Sequence, residues 1–250
     1  MSRLVFKHLR NTANIGDRWC SPFDHLSFDG AIALDLDEPT PQCEAVIYGG
    51  GKIFGSLSKK TTVNDMLARH RIAWGVSTVQ SSILSFRYAL SRRKMTMVGS
   101  RDYGDARYDY APCVTCMSDL FDRKYPVQHE LAFYMHKTKS EGLGLDIPAG
   151  VPVLDNYCSS LEEAIAFMGS AEVIVSNSYH GVYWALLLGK KVLCLPFSKK
   201  FFHYRLPPAY SNPKNWLRDL SKAKRHEGML ELCRSSSNAF ERKVRAAVNI

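Results

Sequence analysis

The segment Ala171–Pro196 constrains the fold most. Ala171-Glu172-Val173-Ile174-Val175 is a short β-branched run that reads as a buried strand, and the hydroxyl-rich turn Ser176-Asn177-Ser178-Tyr179-His180-Gly181 follows it. Val182–Gly189 reads as an apolar helix ended by glycine, and Lys190–Pro196 as the next strand, parallel to the first. This places a turn with one imidazole at the carboxyl end of a strand and the amino end of a helix. Open α/β sheets bind ligands there, and free N–H groups with the helix dipole favour an anion. The competing reading makes Ser176 and Ser178 helix caps and His180 an ordinary first-turn residue.

A chain of 250 residues, 46% hydrophobic and 11% aromatic, can bury one large or two small α/β domains. No run approaches the ~18 apolar residues of a membrane span, and Met1–His8 is charged too early for a signal peptide. These features point to a cytoplasmic protein. The seven cysteines are an odd number, consistent with reduced thiols. Cys113-Val114-Thr115-Cys116 lacks a second pair at zinc spacing, so no metal site is expected. Charge is uneven: residues 190–250 hold 14 Lys and Arg against 4 Asp and Glu, a net of +10, whereas residues 1–189 hold 19 against 20. The whole excess of +9 therefore lies in the last quarter. Such a face suits an anionic substrate or an acidic membrane surface, or is solvated helix. No nucleic-acid motif accompanies it.

The first half reads as strands at Arg3–His8, Ala31–Leu36, Ala45–Tyr48, Arg71–Val76 and Met95–Val98, with helices at Thr62–Arg69 and Ser82–Arg93. Tyr103–Gln128 breaks the periodicity, which sets domains at 1–125 and 126–250, the second carrying a basic helical tail. In the second half, strands are expected at Leu131–His136, Val151–Leu154, 172–176 and 191–195. Ser159-Ser160-Leu161-Glu162-Glu163 carries two overlapping capping boxes for a helix through Met168, and helices are expected at 180–189, 212–225 and 228–248. The closing helix would pack back over the first half. The fold class is thus α/β, two Rossmann-like domains with a C-terminal helical segment.

Several groups carry candidate chemistry. Asn14-Ile15-Gly16-Asp17 follows the first strand; Gly16 permits close approach of a ligand, and Asp17 can accept a proton or hold a sugar hydroxyl. Gly49-Gly50-Gly51 reads as a bare turn after a strand, open to a ligand or a facing loop. Arg101-Asp102 ends another strand. No GxGxxG or P-loop is present.

These motifs, with Tyr110–Met117 and the Ser176–Gly181 turn, resemble in their order the polysaccharide pyruvyltransferases, in particular the exopolysaccharide-modifying branch, over residues 11 to 200. The resemblance implies a GT-B-like pair of Rossmann-like domains, the first on the acceptor side and the second on the donor side. It implies transfer of the pyruvyl group of phosphoenolpyruvate, the donor substrate, to a sugar or oligosaccharide acceptor, lipid-linked acceptors included. A ketal forms, phosphate leaves, and no further cofactor is needed; the work is placed in the cytoplasm, at the inner face of the membrane. Family members often carry Arg-x-His before the helix, where this chain has Ser178-Tyr179-His180. His136, Lys137, Lys199, Lys200 and Arg205 are the candidates for the missing cation. His180 is then general acid or phosphate ligand and Asp17 base or sugar ligand, with Asn14, Gly16, Gly49–Gly51, Arg101, Asp102, Asn177, Ser178 and Gly181 binding substrate. A nucleotide-sugar glycosyltransferase and a non-catalytic sugar-binding relative are the alternatives.

Overall fold

The computed structural model describes residues 4–51, 53, 54, 57, 61–79, 89 and 91–250. Most of the helix expected over Ser82–Arg93 lies outside the described residues. The strands are all parallel and form two sheets. The first holds β1 (Leu4–His8), β2 (Ile32–Asp35), β3 (Ala45–Gly51), β4 (His70–Val76), β5 (Met97–Ser100) and the short β6 (Asp109–Tyr110), in the order β2-β1-β3-β4-β5-β6. The second holds β7 (His129–Met135), β8 (Val153–Asp155), β9 (Ala171–Ser176), β10 (Lys191–Cys194) and β11 (Ala209–Tyr210), in the order β11-β10-β9-β7-β8.

The two orders repeat one topology. In each sheet the chain leaves its first strand to one side, then returns to the other side for its third. This doubly wound, Rossmann-like order places a topological switch point between β1 and β3, and another between β7 and β9. A crevice at the carboxyl ends of such strands is the general ligand position of the architecture.

The chain divides into two compact units: one runs to Thr12 and adds Asp17–Ser118 and Cys233–Ile250, and the other is Ala13–Gly16 with Asp119–Leu232. The break therefore falls at Ser118, not at residue 125, because the segment after Ser118 packs on the second unit. The Tyr125 ring fills the space over Gly169, its Cγ 2.4 Å from where a Cβ would sit. Arg123 pairs with Glu162 there as well.

The helical tail, counted with residues 126–250 in the sequence, belongs mostly to the first unit. Helix α7 (Met229–Ala247) turns Phe240 and Val244 into the core of Leu4, Phe6, Ile47 and Trp74, where Val248 joins them. Phe240 meets Trp74 edge-on at 5.1 Å, and Arg234 donates to the carbonyls of Cys116 (2.8 Å) and Ser118 (3.1 Å). The helix expected over 212–225 is a single turn, α6 (Trp216–Asp219), extended by a 3₁₀ turn to Lys222.

Sequence does not announce one feature of the first core. Lys7, in the middle of β1, is fully buried. Its Nζ donates to the Glu38 carbonyl (2.8 Å) and Thr40 Oγ1 (3.0 Å), and pairs with buried Asp65 at 3.6 Å. Asp65 closes the capping box of helix α2 (Val63–Leu67) by accepting from the N–H of Thr62.

Candidate functional site

The carboxyl ends of β7 and β9 converge at the switch point of the second unit. Helix α5 (Tyr179–Leu187) starts immediately after β9, and Ser178 is its N-cap, accepting from the N–H of Gly181 at 3.3 Å. Ser176 is fully buried; its Oγ donates to the Tyr134 carbonyl and accepts from the N–H of Ser178 at 3.0 Å. The capping role is thus real, and it fixes the turn rigidly at the helix amino end. Gly181 sits beneath Tyr134; a Cβ there would lie 2.3 Å from Cδ1 of that ring. Its bareness therefore serves packing.

His180, the second residue of α5, has only 6% of its surface exposed. The imidazole stands edge-on to Tyr179 at 5.6 Å and lies against Trp184 at 5.4 Å. Gly16 covers it: a Cβ at Gly16 would lie 2.1 Å from His180 Nδ1. Asn14 organises that approach by accepting the N–H of Gly16 at 3.1 Å, in helix α1 (Ile15–Arg18). The structure thus brings Asn14 and Gly16, distant in sequence, to the His180 turn. Gly16 is needed for contact with the histidine itself.

Two buried asparagines lock the neighbouring strand end. Asn177 Oδ1 accepts from the N–H of His136 at 2.8 Å, and its Nδ2 donates to Ser140 Oγ at 3.0 Å. Asn156, after β8, accepts from the next N–H, that of Lys137, at 2.7 Å. Its carbonyl accepts from the N–H of Ile15 at 2.9 Å. Asn156 was missed in the sequence because it follows Asp155 in an ordinary turn and its partners are remote.

The expected cations stand in two places. Lys137, which opens the single-turn helix α3 (Lys137–Ser140), pairs with Asp155 at 3.1 Å and is half-exposed. Lys200 Nζ sits near the faces of Tyr179 (5.7 Å), Phe197 (5.2 Å) and Phe201 (5.3 Å), with Lys199 exposed beside it. Phe197 also meets His136 edge-on at 5.8 Å. Tyr204 stacks on Tyr179 at 4.9 Å and donates to its carbonyl. Lys200 and His136 therefore border the turn through an aromatic cluster, where a cation over ring faces gains modest stabilisation.

The other candidates belong to the first unit. Gly49–Gly51 is not a turn but the end of β3, because β4 offers ladder partners that far: Gly49 pairs with Trp74 and Gly51 with Val76. The loop Cys20–Pro22 occupies the space a side chain would take. A Cβ at Gly49 would meet Ser21 Cα at 2.8 Å, and one at Gly50 would meet Cys20 Sγ at 2.2 Å. Of the two occupants the sequence allowed, a facing loop takes Gly49 and Gly50. Gly51, at φ +74°, approaches Asp17, whose Oδ1 lies 3.5 Å from its virtual Cβ.

Asp102 Oδ2 accepts from Ser77 Oγ (2.9 Å) and the N–H groups of Thr78 (2.6 Å) and Val79 (2.8 Å). Arg101 is buried near the Cys20 and Cys113 thiols. Burial pushes both thiols up, and the arginine pulls them only partly back, so neither suits nucleophilic work. Cys113 and Cys116 pack as buried thiols, hydrogen-bonded to Thr115 and Ser237.

No helix of the described residues is long and apolar enough to cross a membrane. No family model matches the chain, and no curated protein matches it. Among solved structures, an uncharacterized protein from Klebsiella pneumoniae subsp. pneumoniae NTUH-K2044 is similar to this chain. It shares 15% sequence identity, with 79% of this chain and 84% of that one covered at a TM-score of 0.47.

Proposed function

We propose that this chain is a pyruvyltransferase that moves the three-carbon unit of phosphoenolpyruvate onto two hydroxyls of a sugar, forming a ketal and releasing phosphate. The observation that carries the reading is a buried histidine in the first turn of a capped helix at a doubly wound switch point, closed over by a glycine from the first βα loop. That setting suits a small anion, because N–H groups and helix dipole act together there. Two doubly wound units in one chain are also what a GT-B-like enzyme requires.

The residue types allow the chemistry. Proton delivery to the alkene CH2 of the donor leaves an oxocarbenium-like carbon, which one sugar hydroxyl attacks. Loss of phosphate then opens that carbon to the second hydroxyl. Of the two hydroxyl protons released overall, one is balanced by the new methyl group and the other leaves with phosphate. An imidazole, whose ordinary pKa is near neutrality, suits the delivery. Lys200, near the Tyr179 ring, and Lys137, at the end of β7, are the proposed stand-ins for the arginine of the family the sequence resembles. Asp17, next to Gly16 in the chain, is the proposed base or sugar ligand.

The test is acceptor-dependent phosphate release from phosphoenolpyruvate, with the ketal identified by mass spectrometry across a panel of sugars and oligosaccharides. Release that depends on the acceptor supports transfer. Consumption of a nucleotide sugar instead, with no use of phosphoenolpyruvate, would assign the chain to glycosyl transfer.

A further inference from the structure

We infer that Asn156 is a ligand-binding residue of the β7–β9 site, its side-chain Nδ2 donating to an oxygen of a bound anion. The inference deepens the reading above by adding a neutral donor to that anion site. Asn156 is 1% exposed. Three of its four polar groups are used: its N–H donates to the Met135 carbonyl at 2.9 Å, its carbonyl accepts from Ile15, and Oδ1 accepts from Lys137 at 2.7 Å. The fourth, Nδ2, is buried and has no partner among the described residues. The Lys137 N–H needs an acceptor, so it fixes which end of the amide is which.

Buried polar groups without partners are rare, and each one calls for a cause. The neighbours supply it. Asn156 and Asn177 hold two consecutive N–H groups at the end of β7, those of Lys137 and His136. Ile15, bonded to Asn156, is followed by Gly16, which lies against His180. The amide therefore belongs to the same cluster as the amino end of α5, a nine-residue helix. Holding the Lys137 N–H requires only an acceptor, and aspartate would do that as well. What asparagine alone adds is an uncharged donor, which accepts an anion where a carboxylate would repel it.

The experiment compares full-length wild type, Asn156→Asp and Asn156→Ala by calorimetric titration with inorganic phosphate and phosphoenolpyruvate, alongside melting temperatures. The expected order of anion affinity is Asn, then Ala, then Asp. One neutral hydrogen bond predicts a ~3–10-fold loss for alanine, and charge repulsion predicts a loss of about tenfold or more for aspartate. The melting order should differ, with aspartate above alanine, because aspartate keeps the acceptor for Lys137. A merely structural role moves affinity and stability in the same order. Unchanged affinity in a folded Asn156→Asp variant, or no binding of either anion by wild type, would overturn the inference. Anion binding with this order but no acceptor-dependent phosphate release would leave Asn156 assigned and remove the pyruvyl-transfer reading alone.

Discussion

Replacing Gly16 by alanine adds one methyl group against His180. That methyl would lie 2.1 Å from Nδ1, 2.5 Å from Cγ and 2.8 Å from Cβ of the histidine. Relaxed contacts between such atoms need about 3.5 Å, so the ring must retreat by more than ~1 Å. Tyr179 and Trp184 stand against it, and overpacking of this kind costs about 1–3 kcal/mol. Gly16 has an ordinary φ in a helical turn, so the reduced freedom of the unfolded chain returns about 0.4–1 kcal/mol. The net expectation is a loss of about 1–2 kcal/mol, read as a lower urea midpoint with an unchanged slope. Any turnover that depends on the imidazole should fall ~10²-fold, the usual effect of a 1 Å misplacement. In Gly16→Ala/His180→Gly the atoms that clash are gone, so the two changes should be sub-additive by about 1 kcal/mol. A Gly16→Ala protein with the wild-type midpoint and full anion binding would refute the argument.

Three further perturbations follow from the structure. Lys7→Met alone should cost about 3–5 kcal/mol by stranding Asp65, while Lys7→Met/Asp65→Leu should recover much of that loss in urea unfolding; equal losses in both would deny the pair. Ser178→Ala removes the N-cap of α5 and should cost ~1 kcal/mol, with phosphate binding weakened beside it; unaltered thermal stability and phosphate affinity would contradict that. The third concerns His8, held by burial at a pKa of about 4 against an ordinary 6.5. The unfolded chain binds the extra proton between those values, so this group loses the protein about 3 kcal/mol of stability as pH falls from 6.5 to 4. Its neighbour Asp24, raised by burial to about 6, acts oppositely over 3.8 to 6. The difference between His8→Gln and wild type isolates the histidine: the variant should gain on wild type as pH falls through that window, and parallel stability curves would contradict this.

The succession of the longer strands along the chain and the His180 turn were legible because each rests on local pattern: β-branched runs, a capping serine and an apolar helix. Ser160 capping α4 (Leu161–Gly169), with Glu163 reaching back to Ser159, is equally local. What sequence hid depends on remote partners. Lys7 looks like an outward-facing residue until Asp65 closes on it from 58 positions away. Asn156 gains meaning only from Ile15 and Lys137. The three glycines looked like a turn because glycine usually breaks strands, yet β4 pairs with them and the Cys20–Pro22 loop needs their bareness. The amphipathic tail was visible, and so was its return to the first half, where Phe240 and Val244 enter the core of Leu4, Phe6 and Trp74; which of its residues would do so was set by tertiary packing.

The most direct test of the central claim is the steady-state kinetics of His180→Ala with phosphoenolpyruvate and a productive sugar acceptor, measured beside its melting temperature. If the imidazole delivers the proton, kcat should drop ~10²–10⁴-fold in a folded protein. If it only holds phosphate, the change should appear chiefly in KM. A folded His180→Ala protein with both constants intact would contradict the account.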